Sequence, residues 1–223
     1  MPDDDTWAVV VPVKPLVSAK SRLVELGRSQ RRDLALAMLL DTVAAALAAR
    51  RVAEVLVVTD DATVATEALA AGAKVVTDEP NAGLNEAFSH GIRLVMRERA
   101  GAPIALLAGD LPALRATELD LALESNDPAA VVTVVADADG IGTTLLASRT
   151  PTMLRPAFGE DSFAAHRRAG ARPVETSDVP GLRRDVDALA DLLAAIELGV
   201  GAATSAVLAQ LDVESLRRAA SAG

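Results

Sequence analysis

Short runs of β-branched and aliphatic residues alternate with helical segments through the first part of the chain, and that alternation leaves few folds open. The runs are Trp7–Val13 (WAVVVPV), Val55–Thr59 (VLVVT), Lys74–Thr77, Ile104–Ala108 (IALLA) and Ala130–Val135. Between them the spacing predicts helices over Gln30–Arg50, Thr63–Ala71, Leu84–Arg99 and Thr117–Glu124, two of them followed by Gly72 and Gly101. Strand–helix alternation of this kind predicts a doubly wound, Rossmann-like α/β sheet. Pro12 predicts that the first strand ends near an edge or a bulge.

The second half is less regular. Asp137–Gly142 reads as an acidic loop, and Thr143–Ala147 as a strand returning to the sheet. Helices are expected at Asp161–Ala169 and Ala188–Leu198, with a short strand at Val174–Thr176 and one continuous helix from Ala202 to Ala220. No repeat or linker is visible, and the turn Asp178–Gly181 leaves too few residues beyond it for a second core. The expected class is α/β, a single domain over residues 1–223 with a mixed, mostly parallel central sheet.

Composition removes several chemistries. There is no cysteine, so thiolate metal sites, disulfides and cysteine nucleophiles are excluded. Only His90 and His166 are available, and both fall inside predicted helices, where a structural or surface role is expected. The formal charge of −9 and an aromatic content of 2% argue against nucleic-acid binding. MPDDDTW at the start has no basic or apolar signal region, and no apolar run is long enough to span a membrane. A cytoplasmic protein is expected.

In an open α/β sheet, ligands sit beyond the carboxyl ends of the strands. Neither G-x-G-x-x-G nor the P-loop follows the first strand. The loop there, KPLVSAKSR, instead carries Lys14, Lys20 and Arg22, and it holds two of the three lysines in the chain. Such side chains suit phosphate, although a solvated loop is the ordinary alternative. Asp110, in GDLP after IALLA, would project into the crevice as a Mg2+ ligand or cap the next helix. In RRDVD, Asp185 and Asp187 lie two residues apart and would share a face if extended, while Asp187 could also cap the helix that follows. Two small-residue loops, Gly140–Thr144 and Phe158–Ser162, offer Thr143, Gly159 and Ser162 to an anion. Asn85 reads equally as a helix cap or as a contact to a nucleobase.

These segments resemble the nucleotidyltransferase superfamily with its GT-A-type fold. Within it they look like the phosphoenolpyruvate/2-phospho-L-lactate guanylyltransferases of coenzyme F420 biosynthesis. The resemblance runs through VPVKPLVSAKSRL, GLNEAF, GDLPAL, GIGTT, FGEDSFAAHRRAGA and PGLRRDVDALADL. It implies transfer of GMP from GTP to the phosphate of phosphoenolpyruvate or 2-phospho-L-lactate, with pyrophosphate released. It also implies that Asp110, Asp185 and Asp187 hold Mg2+ and that Thr143, Gly159 and Ser162 hold the acid. Lys14, Lys20, Arg22 and Asn85 would face the nucleotide, with Asp110 and Lys20 as the catalytic pair. A downstream transferase of the F420 pathway would consume the product. The alternatives are a molybdopterin-type nucleotidyltransferase, whose glycine-rich opening loop is absent here, a non-enzymatic nucleotide sensor, and a flavodoxin-like binding module.

The acceptor phosphate is already ionised at neutral pH and can attack the α-phosphorus in line, so no general base is expected. Two anionic substrates must nevertheless meet on an acidic protein. Unit charges about 4 Å apart repel by about 4 kcal/mol at an effective dielectric near 20. A divalent cation and a local basic cluster are the expected remedy.

Overall fold

The computed structural model describes residues 6–124, 132–175 and 177–221. Among the described residues, seven strands form one sheet: β1 (Trp7–Pro12), β2 (Val52–Val58), β3 (Lys74–Val76), β4 (Ile104–Leu107), β5 (Thr133–Ala136), β6 (Thr143–Ser148) and β7 (Arg172–Pro173). Their order is β3-β2-β1-β4-β6-β5-β7. Neighbours pair in parallel except where β6 lies between β4 and β5, antiparallel to both. The sheet is therefore mixed and mostly parallel.

The nine α-helices among the described residues are α1 (Arg28–Ala48), α2 (Ala62–Ala70), α3 (Leu84–Glu98), α4 (Ala116–Glu124), α5 (Ser162–Arg168), α6 (Pro180–Arg183), α7 (Leu189–Leu198), α8 (Ala202–Leu208) and α9 (Val213–Ser221). The two-residue period of β1 sorts its side chains. Trp7, Val9 and Val11 pack with Leu39 and Val43 of α1 and Leu119 of α4, while Ala8 and Val10 pack with Phe88 and Ile92 of α3. Both faces of the sheet are covered, so the strands read as continuous apolar runs rather than alternating ones. At the closest approach a Cβ on Gly91 would strike the Val10 side chain, so α3 can lie against β1 only with glycine there. A third apolar cluster joins Leu34 and Met38 of α1 to Leu192 of α7, Leu208 of α8 and Leu216 of α9. Asp41 of α1 fastens this layer by accepting from the N–H groups of Ala203 (2.9 Å) and Thr204 (2.8 Å).

Several expectations are corrected. β1 lies inside the sheet, and Pro12 is its last paired residue, where a missing N–H costs little. The register irregularity falls instead at Trp7/Ala8. The strand expected at Val174–Thr176 is formed by Arg172–Pro173, with Val174 donating once more to Val134 at 3.0 Å; Thr176 lies outside the described residues. The start of the strand expected from Ala130 also lies outside them, as does the first part of MPDDDTW. The continuous helix expected from Ala202 is two helices. Asp212 interrupts it, accepting the Ser215 N–H at 2.9 Å as a new helix start. No helix among the described residues is long and apolar enough to cross a membrane.

Candidate active site

The carboxyl ends of β1, β4 and β5 point the same way, and reversed β6 begins where they end. The turns at that edge surround one cavity of about 780 Å3. The loop after β1 contributes Lys14, Lys20 and Arg22, and the turn after β4 contributes Asp110. Asp137 and Thr143 come from either end of the β5–β6 turn, and Gly159 and Ser162 from the loop entering α5. Asp185 and Asp187 close the circle from the segment after α6. Every sequence-predicted site residue except Asn85 thus lines one cavity.

Two linkages bring the distant acidic stretches together. The Val186 N–H, between Asp185 and Asp187, donates to the Asp110 carbonyl at 3.2 Å. Behind it, the buried Glu118 of α4 accepts from the N–H groups of Gly181 (3.1 Å) and Leu182 (2.9 Å) at the start of α6. A Cβ on Gly181 would collide with the Ala113 carbonyl and the Glu118 carboxylate, so this approach requires glycine. Val186 is fully buried and anchors the strip while its two neighbours face the cavity. Capping is not the duty of either predicted metal ligand. Asp191 accepts the N–H groups of Asp187 (3.2 Å) and Ala188 (2.9 Å) at the start of α7, and Asp110 lies outside the ends of α4.

Lys20 lies between the acidic stretches. Its ammonium is paired with Asp110 and lies 3.4 Å from Asp187, with the side chain 10% exposed. Burial disfavours its charge, but the Asp110 and Asp187 carboxylates more than compensate and hold the ammonium above its ordinary pKa. Arg22 lies farther out, 3.8 Å from Asp187. The Asp185 carboxyl is pushed up to about 7, first by burial and then by the negative charges of Asp110, Asp137 and Asp187. Among the described residues, no three acidic or imidazole groups converge closely enough to cage a metal ion unaided. The donors are nevertheless hard carboxylate oxygens, and Asp185 lacks compensating positive charge. That set suits a divalent cation whose remaining ligands come from substrate phosphates rather than from an all-protein cage.

The loop carrying Lys20 is itself held in place. Asp61, the cap of α2, accepts the Leu16 N–H at 2.9 Å as well as those of Thr63 and Val64. Burial opposes ionisation of Asp61, but these donors and nearby Arg32 hold its carboxyl below the usual range. Lys20 is one of three non-glycine residues with positive φ among the described residues; the others are Asn81 and Asp161. Lys20 and Asp161 line the main cavity, and Asn81 lines a smaller one beside it. Strained backbone thus gathers at the cavity walls.

On the opposite wall, Asp137 folds its own loop by accepting from Ile141 (2.9 Å) and Gly142 (2.6 Å). The Arg183 guanidinium donates to its carbonyl at 2.6 Å. Thr143 is buried and lies 3.0 Å from His166 Nδ1. The Ala157 N–H donates to His166 Nε2 at 3.0 Å, so that nitrogen carries no proton in the neutral ring. Burial lowers the His166 pKa to about 4, so the ring is neutral near pH 7. Its proton is therefore on Nδ1 and is donated to the Thr143 hydroxyl oxygen.

Asn85 does not line the cavity. Its amide donates to the Phe158 carbonyl (3.0 Å) and accepts the Phe158 N–H (2.8 Å), so both ends are committed to backbone 73 residues away. The structure therefore corrects its expected nucleotide contact to a clamp on the Phe158–Ser162 loop. One turn along α3, Phe88 stacks on Phe158 with ring centroids 4.3 Å apart. Sequence reading missed the roles of Glu118, Asp137 and His166. The acidic loop was visible, but its partners are distant in the chain.

Residues 7–222 match the family described as "Guanylyl transferase CofC like". A protein of Thermomonospora curvata named phosphoenolpyruvate guanylyltransferase is 48% identical over 210 residues, covering 94% of this chain and 92% of its own length. One of the same name from Streptomyces coelicolor is 50% identical over 208 residues, covering 92% and 97%. Among solved structures, a putative nucleotide-diphospho-sugar transferase from Desulfovibrio desulfuricans superposes with a TM-score of 0.69 at 18% identity, covering 95% of this chain and 96% of its own, a likeness of fold.

Proposed function

The chain belongs to the CofC-like guanylyl transferase family, and from that premise we propose that it transfers GMP from GTP to phosphoenolpyruvate, giving enolpyruvoyl-2-diphospho-5'-guanosine and pyrophosphate. The observation that carries the proposal is the meeting of Asp110, Asp185 and Asp187 with Lys20 in the cavity that Thr143, Gly159 and Ser162 also line. That cavity, of about 780 Å3, is of a size to take two small anionic substrates together. One sheet presents both sets of groups, which supports a single domain over residues 1–223 acting alone on both substrates.

In this reading Lys20, with Lys14 and Arg22 at the rim, neutralises the triphosphate. Ser162, the Gly159 backbone and the Thr143 hydroxyl, oriented by His166, hold the acid so that its phosphate oxygen lies in line with the α-phosphorus. The residues that would hold a divalent cation, Mg2+ by the chemistry of its donors, are Asp110, Asp185 and Asp187. When bound it supplies Lewis-acid neutralisation of the phosphates. Nothing in the cavity needs to act as a base, because the attacking oxygen is already ionised. The neutral His166 ring, with both nitrogens engaged, is not in a position to serve as one. Positioning and charge neutralisation then account for catalysis. The mixed anhydride of an enol phosphate is reactive, and we propose that a downstream transferase accepts it.

The test is incubation with GTP, Mg2+ and either phosphoenolpyruvate or 2-phospho-L-lactate, with mass detection of the product, with and without the next enzyme of the pathway. Guanylylated phosphoenolpyruvate is expected. Product only from phospholactate would move the acceptor assignment, and no product from either acid with the coupling enzyme present would overturn the reaction.

A further inference from the structure

Arg183 ends α6, just before the strip that carries Asp185 and Asp187, and does not itself line the cavity. Its guanidinium crosses to the carboxyl end of β5, where the ladder with β6 shifts register between Val135 and Ala136. There Nε donates to the carbonyls of Ala136 (3.2 Å) and Asp137 (3.2 Å). One terminal nitrogen donates to those of Asp137 (2.6 Å) and Ala138 (3.2 Å). Three successive carbonyls thus converge on one planar cation, an arrangement that suits the fixed fork of a guanidinium and not the point charge of an ammonium.

The two bodies it joins are each held together by other bonds. On one side, the strip is fixed by the Val186 bond to Asp110 and by Glu118 at Gly181 and Leu182. On the other, the Asp137 carboxylate folds the β5–β6 turn so tightly that a Cβ on Gly142 would strike it. The tip of that turn is tied to the acid side of the cavity. The Ile141 carbonyl accepts the Phe163 N–H at 3.0 Å, next to Ser162, and His166 joins Thr143 to Ala157. The guanidinium is therefore a direct side-chain link between the proposed cation strip and the proposed acid subsite.

We propose that Arg183 is a positioning residue for the transfer: it sets the spacing of the two subsites, and so the alignment of the acceptor phosphate with the α-phosphorus, without touching either substrate. The inference rests on the guanylyl-transfer reading. In-line attack tolerates little displacement, and a shift of about 1 Å caused far from the chemistry can cost on the order of 100-fold in rate. A residue that sets spacing alone acts on kcat, because each substrate still finds its own subsite intact.

The experiment compares the steady-state kinetics of the wild type, Arg183→Gln and Arg183→Lys with GTP, Mg2+ and phosphoenolpyruvate, counting kcat per GTP site titrated by calorimetry. Arg183→Gln should lower kcat roughly 100-fold, with the KM for each substrate within about threefold of the wild type. Arg183→Lys keeps the charge but not the fork and should recover part of the loss. A merely structural role would reduce the number of GTP sites or the thermal midpoint and leave kcat per site unchanged, and that result overturns the inference. So does a rise in either KM at unchanged kcat, which would make Arg183 part of one subsite. Should Arg183→Gln fail to fold, Arg183→Lys carries the test on the same criteria. Absence of GMP transfer by the wild type would instead defeat the guanylyl-transfer reading, whereas wild-type turnover matched by both variants defeats this inference alone.

Discussion

The N–H of Val186 donates to the carbonyl of Asp110 at 3.2 Å, across 76 residues of chain, and joins the two acidic stretches of the cavity directly. Glu118 and Gly181 support it from behind, Lys20 bridges it in front, and the carboxylates it assembles form the proposed cation site.

Replacing Asp110 removes a charge from a cavity wall rather than volume from a core. Asp110→Asn should lower kcat by at least about 100-fold while leaving the circular dichroism spectrum unchanged. Turnover within a few-fold of the wild type would exclude Asp110 as a ligand of the proposed cation.

Ser162 tests the acceptor side. Ser162→Ala should raise the KM for phosphoenolpyruvate by roughly tenfold, the scale of one hydrogen bond to a charged group, with the KM for GTP nearly unchanged. An unaltered acceptor KM would remove Ser162 from the acid subsite.

Asn85 tests the clamp. Asn85→Ala removes both hydrogen bonds to Phe158 and should cost about 1–2 kcal/mol of stability, read by urea unfolding. Its kinetic effect should fall on the acid substrate, because the Phe158–Ser162 loop carries Gly159 and Ser162. A rise in the GTP KM alone would restore Asn85 as a direct nucleotide contact.

Gly181→Ala should be destabilising by about 2–3 kcal/mol, the usual scale for forcing atoms into a filled space, because the new methyl meets the Ala113 carbonyl and the Glu118 carboxylate. Activity should fall more than stability accounts for, since the strip carrying Asp185 and Asp187 starts there. A folded, fully active variant would show that Glu118 does not set the position of the strip.

His166 makes stability depend on pH. Its pKa is about 4 in the folded protein against an ordinary 6.5, so the unfolded chain binds the extra proton first as pH falls. The stability it protects is complete above pH 6.5 and is lost as pH drops toward 4, by about 3 kcal/mol at most. Asp185, whose raised pKa works in the opposite sense over the same range, is common to both proteins, so the difference in stability between the wild type and His166→Gln, followed by denaturant unfolding from pH 7.5 to 4, should shrink by this amount as pH falls. An equal slope in both would assign the acid sensitivity to other groups.

Much of this protein is legible along the chain. The apolar runs and their spacing determined an α/β sheet, because strands covered on both faces must be apolar throughout and the helices between them must bury one side. The types of residue at the strand ends, carboxylates and lysines with no cysteine and little histidine, pointed toward phosphate while leaving helix caps and solvated loops open, and the resemblance of whole segments to a family supplied the reaction. Tertiary structure alone decided which groups meet. Nothing local in GIGTTLLAS marks β6 as antiparallel, since its direction follows from the path of the chain between β5 and β4. Nothing near Asn85 reveals that its partner is Phe158, and nothing near Glu118 reveals that its carboxylate holds Gly181 and Leu182. Such pairings form only after the core has closed, when a buried polar group must take whichever partner packing has brought within reach.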